Sequence, residues 1–552
     1  MPTLHWIGKE KVVAHHLDVP FRVLEHSYGF TEKGKQDKPV DSGNKIIHGD
    51  NLEALKALLP EYEGKIKCIY IDPPYNTGNE SWVYNDNVND PRILKWINEI
   101  VGREGDDLSR HDKWLCMMYP RLKLLSKLLD SEGVLLVSID DFEFTNLKLV
   151  LDEIFGMKGF LASFVWRRRV SSSLASSWIS KDHEYILAYS KNPEKVFVFG
   201  EERDMTKYNI KDENGRYYAS MPLTVGMTKE MRPNQWYELK HPGSEKGYWP
   251  PKGRVWGYYP PTMEEKIKAG LIIFPEDFPD KKLTTPRLKS YPEDAKRDKK
   301  PVSTWIYEQN QEQDTLEVSS LKTSKNEEGT RLLKNIFNDS VFTYAKPLSL
   351  LQSLIQQFTQ KNDIVLDSFA GSGTTAHAVL NLNKQDEGNR KFILVQIDEE
   401  NKNGEAVNIA EMITAERVKR VIKGYGNTEG AGGSFDFYEL GETLFTAEEN
   451  LNELAGFENI CRYIWYAETQ QRFIKPASKN KYLLGKYNHT VYYFFYDGDN
   501  ATTLDFDFLA DLDPAFRGEQ YIIYADNCLL PDEFMELKNI IFKKIPSDIM
   551  KF

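Results

Sequence analysis

Within four residues, Asp72-Pro73-Pro74-Tyr75 gathers a carboxylate, two prolyl carbonyls on stiff backbone and a phenol ring. That set can accept the hydrogens of an amino group and stack on a flat ring. It also fits a strand-ending turn with a solvated acid, because short motifs recur by chance. A second stretch offers different chemistry. In Asp367-Ser368-Phe369-Ala370-Gly371-Ser372-Gly373-Thr374-Thr375, a glycine turn follows the apolar run Ile364-Val365-Leu366. Gly371 and Gly373 allow close backbone approach, and a helix start offers free N–H groups to an anion. No Gly-Lys-Ser/Thr follows, which excludes a P-loop, and the full GxGxxG spacing is missing. Asp398 stands about 25 residues past the turn, near where an acid meets ribose hydroxyls. A ligand with an adenosine, an α-amino acid and no phosphate suits this combination, and S-adenosylmethionine has those parts. The alternative is a glycine turn that serves only helix–sheet packing.

Taken together, the two stretches could transfer a methyl group from a sulfonium to an amine. That reaction needs in-line positioning, with no metal and no covalent intermediate. The 6-amino group of adenine is conjugated with its ring and is a poor nucleophile. Asp72 accepting one amine hydrogen and the Pro73 carbonyl accepting the other would favour tetrahedral geometry, by preorganised electrostatics and without prior deprotonation. Tyr75 would stack on the base. A duplex hides that amine, so the base must turn out of the helix.

The elements that must position these residues follow from pattern. Lys67 to Ile71 reads as a strand of a parallel sheet, and the two prolines stop it, leaving Asp72 at the carboxyl end where open α/β sheets bind ligands. Lys45 to Asp50 and Gly133 to Asp141 are further strands, with helices expected over Asn51–Leu59, Trp114–Leu129 and Phe144–Phe155. Phe160–Arg169 and His183–Lys191 flank a serine-rich connector, Val170 to Ser180, expected to be mobile. Phe392 to Asp398 is a strand, Ala410 to Lys423 a helix, and Gly424 to Gly433 a glycine-rich linker. Alternation of strand and helix predicts an α/β fold with a mostly parallel sheet. Residues 1–40 read as an irregular lead-in, 41–200 and 335–425 as two halves of one domain, 201–334 as an insert rich in Pro, Trp, Tyr and Lys, and 431–552 as a separate small α+β domain.

The 552 residues carry a formal net charge of -12. The charge is uneven: residues 201–300 hold 20 Lys and Arg against 16 Asp and Glu, whereas 431–552 hold 11 against 20. A mildly basic middle permits nucleic-acid binding without establishing it. No apolar run approaches the ~20 residues of a membrane span, and the start lacks the pattern of a signal peptide. Cys68, Cys116, Cys461 and Cys528 are scattered without CxxC spacing, which predicts reduced core thiols, no metal site and a cytoplasmic setting.

The order Gly49-Asp50, Asp72-Pro-Pro-Tyr75, a variable insert, Lys346-Pro347 and Phe369-Ala-Gly-Ser-Gly373 resembles the β-class amino-methyltransferases of DNA. The longer strings Tyr70 to Asn79, Val137-Ser138-Ile139-Asp140-Asp141 and Leu151 to Gly156 resemble the modification (Mod) subunits of Type III restriction–modification systems, as does the style of Phe542-Lys543-Lys544-Ile545-Pro546. The resemblance covers residues 43–200 and 335–425. It implies a Rossmann-like, circularly permuted sheet of about seven strands, S-adenosylmethionine as cofactor, and N6 methylation of a flipped adenine in double-stranded DNA. The rival base is cytosine, at N4. A rival class is a recognition subunit that directs a nuclease–translocase.

Carried over by position, Asp72, Pro73, Pro74 and Tyr75 are catalytic. Asp50 contacts the adenine of the cofactor (a helix cap being the alternative), and Lys346 approaches its carboxylate region. Phe369 packs against the cofactor, Thr374 bonds its carboxylate and Asp398 takes its ribose. Asp367, Ser368, Ala370, Gly371, Gly373 and Thr375 complete the cradle. Asp140 and Asp141 shape the floor, and Trp166 is either a wall for the base or a core residue. The insert reads the DNA sequence, a restriction (Res) subunit is the implied partner, and a homodimer the implied assembly.

Overall fold

The computed structural model describes all residues except 1–2, 78–107, 170–177, 279–282, 295–298, 309–320, 343, 401–405, 447 and 551–552. Most of the aromatic, Asn/Asp-rich loop after Asn76 and most of the serine-rich connector therefore lie outside the described residues. The chain forms two compact units, Met1–Phe199 with Ser303–Phe552, and Gly200–Val302.

The larger unit is built on a 12-stranded sheet. Its central strands run in the order Phe160–Arg167, His183–Tyr189, Leu129–Ile139, Ile66–Ile71, Ile364–Asp367, Lys391–Gln396 and Lys45–His48. All are parallel except His183–Tyr189, which opposes both neighbours. The reason is in the side chains: Ile66, Cys68, Ile69, Ile71, Val365, Leu366, Phe392 and Ile393 have no exposed surface, as strands covered on both faces require. On one face, helices Asn51–Tyr62, Leu108–Leu128 and Phe144–Phe155 contribute Leu55, Leu122 and Leu151 to a core shared with Ile69, Ile71 and Val137. Helices Leu348–Phe358 and Thr374–Asp386 pack on each other and against the strands Ile66–Ile71 and Lys391–Gln396.

The strand carrying the glycine turn sits at the centre, beside the strand carrying Asp72, with Val365 opposite Cys68 and Leu366 opposite Ile69. Two parallel neighbours end at the same sheet edge. This is the permuted, mostly parallel order that the family resemblance implied.

The sheet extends further than the sequence reading. Residues 1–40 are not an irregular lead-in, because Arg22–Thr31 is a ten-residue strand. Ser434–Thr443, expected in a separate C-terminal domain, inserts between Arg22–Thr31 and Lys45–His48. Its alternation buries Phe435 and Phe437, and Tyr28 stacks on Phe437 at 5.1 Å. Beyond it, helix Phe457–Thr469 and the strands Leu483–Tyr487, Thr490–Phe494, Gln520–Ala525 and Ile540–Lys544 form an α+β layer. Tyr466 of that helix belongs to the main core and hydrogen-bonds Glu63. At the opposite sheet edge, Trp305-Ile306 pairs with Val165-Trp166, so this part of the expected 201–334 insert belongs to the large unit.

The unit Gly200–Val302 has a four-stranded antiparallel sheet and a helix, Pro260–Lys268, around Leu223, Trp256, Met263 and Phe274. Among the described residues, no helix is long and apolar enough to cross a membrane.

Candidate active site

After Ile71 the prolines end the ladder, and side chains from other elements pin the turn. The Trp114 indole donates to the Pro74 carbonyl at 2.7 Å. Asn76 takes a left-handed conformation (φ 56°), and its amide donates to Glu143, a fully buried acid that also meets His111 at 2.6 Å. The Pro73 carbonyl accepts nothing among the described residues. Of the two prolyl carbonyls, one is spent and the other is open among the described residues.

Lys346 joins this turn to the other stretch. Its Nζ lies 3.1 Å from Asp72 Oδ1, 3.0 Å from Glu184 Oε2 and 2.7 Å from the Tyr75 hydroxyl. Its carbonyl accepts from the Thr374 hydroxyl at 3.4 Å. Glu184, nearly fully buried, also pairs with Arg168 at 2.9 Å. The Tyr75 hydroxyl stands 2.9 Å from Asp72 and 3.2 Å from Glu184, so its single hydrogen serves one carboxylate at a time. Withdrawal from water pushes the Asp72 carboxyl above its ordinary range; Lys346 opposes this and Glu184 reinforces it. Burial pushes Glu184 the same way, but Lys346 and Arg168 outweigh it and hold it below the usual carboxylate range. A quarter of the Asp72 side chain still reaches solvent, which leaves an approach to its carboxylate.

The glycine turn is tightly framed. Gly371 (φ 50°) and Gly373 (φ 76°) both need left-handed backbone, and a Cβ on Gly373 would meet Thr414 at 3.2 Å. Gly371 N–H donates to Gln396 Oε1 at 2.7 Å, and its carbonyl accepts from Thr414 at 2.6 Å. Asp367 clamps the joint, accepting from the Phe369 N–H at 3.1 Å and from the Thr375 hydroxyl. Burial raises its carboxyl to about 7. The main-chain N–H groups of Ser372, Thr374 and Thr375 have no acceptor among the described residues, and the buried Ser368 hydroxyl has no partner there either. Free donors at a helix start fit an anionic group.

Several expected residues are placed differently. Lys346 spends its ammonium on Asp72, Tyr75 and Glu184, and only its carbonyl faces the turn. Asp50 caps helix Asn51–Tyr62 through the Leu52 N–H (2.7 Å) and pairs with the buried Arg121 at 3.1 Å. Asn51 ties that helix to the turn by donating to the Ser368 carbonyl at 2.9 Å. Asp398 is exposed and paired with His48 at 2.7 Å. The Tyr75 ring is buried. Asp140 accepts from Phe142 N–H at 2.9 Å, and burial raises it to about 6. Trp166 is buried, with Lys346 Nζ 5.8 Å from its ring. Sequence reasoning missed Glu184, Arg121, Asn51, Trp114, Glu143 and Arg417; the one available signal was Glu184 as an acid within an otherwise apolar strand.

A family model described as DNA methylase (N6_N4_Mtase) matches residues 66–408. The Mod subunit of the Type III restriction–modification enzyme StyLTI from Salmonella typhimurium is 32% identical over 69% of this chain and 57% of its own length. The corresponding subunit of EcoP15I from Escherichia coli is 30% identical over 72% of this chain and 65% of its own length, and that of EcoPI from Escherichia phage P1 31% over 76% and 68%. The chain thus spans less than two thirds of the first two relatives. Two strand ends at one sheet edge, joined by Lys346, lie within a match covering more than half the chain, and the chain belongs to the N6/N4 DNA methylase family.

Proposed function

We propose that this chain is an S-adenosylmethionine-dependent DNA methyltransferase acting on the N6 amine of an extruded adenine, as the modification subunit of a Type III restriction–modification system. The observation that carries the reading is the bridge at Lys346. One residue touches the Asp72 turn with its ammonium and the glycine turn with its carbonyl, so the two half-sites are near neighbours.

The residues fit the cofactor. The open N–H groups of Ser372, Thr374 and Thr375 suit its carboxylate, and Asp398, at the end of the next strand, suits its ribose. Bound there, the cofactor supplies a methyl group on a sulfonium. The rest falls to the chain. Asp72 accepts one amine hydrogen and the open Pro73 carbonyl the other, drawing the lone pair out of conjugation. Trp114 and Glu143 fix the turn so that these acceptors need not reorganise. The sign of the charge also fits. Positive charge grows on the amine during transfer, and a carboxylate is the group to meet it.

Asp72→Ala is expected to abolish methyl incorporation while specific DNA binding, measured by gel shift, stays within about threefold, less than one hydrogen bond is worth. Loss of both together overturns the role given to Asp72. Nucleoside analysis of DNA from cells expressing the chain is expected to yield N6-methyladenine; N4-methylcytosine would move the reading to the other base.

The unit Gly200–Val302, with surrounding Lys and Arg, is the element we assign to reading the DNA sequence, its cations holding phosphates. Exchanging it for that of a relative is expected to change the methylated site, and an unchanged site would refute the assignment. A Res subunit as partner, a homodimer as assembly and the cytoplasm as location complete the proposal.

A further inference from the structure

Behind the glycine turn lies a cation with no anion beside it among the described residues. Arg417 has no exposed surface and follows a π-helical turn, Ala410–Ala415, that brings the chain against Gly371 and Gly373. Its Nη1 donates to Thr374 Oγ1 at 2.8 Å, to Ser372 Oγ at 3.0 Å and to the Ser372 carbonyl at 3.3 Å. Its Nη2 lies 3.3 Å from His377 Nδ1, and its Nε has no partner among the described residues. Among the described residues no carboxylate reaches ion-pair distance; Glu328 and Tyr425 act on it only from beyond it. Burial lowers the Arg417 pKa only to about 10, so the charge persists at neutral pH. Three other largely buried cations are paired, Arg121 with Asp50, Arg390 with Asp386, and Lys346 with Asp72 and Glu184, whereas the buried Lys56 donates to the Leu17 carbonyl.

A lone buried charge is costly, and a guanidinium has donors only. The Ser372 and Thr374 hydroxyls must therefore accept from Arg417 and turn their own hydrogens elsewhere. For Thr374 the remaining acceptors are Ser372 Oγ at 3.3 Å and the Lys346 carbonyl at 3.4 Å, both long contacts. Two hydroxyls that accept from Arg417, N–H groups with no acceptor among the described residues and a positive charge beneath them converge on one turn.

We propose that Arg417 makes this turn selective for a cofactor that carries a free carboxylate, by fixing the Thr374 hydroxyl as a donor and supplying the charge the carboxylate neutralises. Arg417 is thus a positioning and specificity residue acting through Thr374. The proposal rests on the reading of Gly371–Thr374 as the seat of the cofactor's amino-acid end.

Titration calorimetry on the full chain, with S-adenosylhomocysteine and its carboxamide as probes, tests it. Wild type is expected to prefer the carboxylate roughly tenfold or more, as for a charge pair at intermediate dielectric. Arg417→Gln is expected to lose that preference by weakening only the carboxylate form, and Arg417→Lys to recover most of it. Equal weakening of both probes in Arg417→Gln would mark a packing role and overturn the proposal. So would a wild type that does not distinguish the probes, which needs no variant to fold. Failure of wild type to bind either probe would overturn the cofactor reading itself, and the proposal with it.

Discussion

On the proposed reading, the site holds a cation, Lys346, where it must receive a neutral amine. The ammonium sits on the Asp72 oxygen that an incoming amine hydrogen would use. Glu184 and Tyr75 give it somewhere to remain when the base arrives, because both already hold it. Glu184 is thus the counter-charge of the site, balancing Lys346 and Arg168 at once. Glu184→Gln removes that counter-charge from both cations and leaves Asp72 as the carboxylate on Lys346. Breaking such a buried pair costs about 3 kcal/mol, which a urea titration would register. Because the Glu184 charge helps to raise the Asp72 carboxyl, its removal lowers that pKa. The acid limb of kcat/KM for methyl incorporation then moves to lower pH, while the ammonium, with one fewer acceptor, competes harder for Asp72 and depresses kcat. An acid limb that moves upward would contradict this account.

At the scale of elements, the joint between strand Ile364–Asp367 and helix Thr374–Asp386 sets the glycine turn, and Asp367 is its clasp. Its hydrogen bonds favour the ionised form, yet burial outweighs them and the carboxyl rises to about 7. A carboxyl raised in the folded state binds its proton more tightly there than in the unfolded chain. Its contribution is therefore greatest below the unfolded value and is lost as pH rises toward 7. Asp367→Asn keeps one of the two acceptors, lets the Thr375 hydroxyl turn to accept from the amide, and removes the titration. Between pH 5 and 8, the urea midpoint of the variant is expected to fall less than that of wild type, by a difference of about 2 kcal/mol in unfolding free energy. Identical pH dependence in the two proteins would show that Asp367 stays ionised throughout.

For the whole molecule, the sheet ties together segments from nearly the full length of the chain. Ser434–Thr443 lies between Arg22–Thr31 and Lys45–His48, and the latter leads directly into Asp50 and the helix that reaches Ser368. The C-terminal layer is consequently continuous with the sheet that carries Asp72. Ending the chain at Gly433 would expose the ladder edge of Lys45–His48 and uncover Tyr28 and the core around Tyr466. The truncated protein is expected to be insoluble or to lose cooperative unfolding in calorimetry; a soluble product with an unchanged Tm would show the layer to be dispensable.

What the sequence determined by itself is what proline, glycine and apolar runs dictate locally. Paired prolines must end the strand before Asp72, left-handed glycines must turn the chain after Asp367, and continuous apolar strands must be covered on both faces. Those signals are enough for an α/β, mostly parallel sheet, and its permuted order is what the family resemblance implied. The tertiary structure decided the pairing of charges. Glu184, Lys346 and Arg168 meet from three separate segments, Asp398 is engaged by His48, Asp50 by Arg121, and Arg417 comes to lie beneath a turn it follows by some forty residues. It also decided that Ser434–Thr443 joins the main sheet, since its Phe-alternating pattern suits a strand in any sheet. Backbone restriction acts between neighbours and is written in residue type. Partners brought together by a long-range sheet have no local signature, because a buried carboxylate and a surface one are the same letter until the fold closes over one of them.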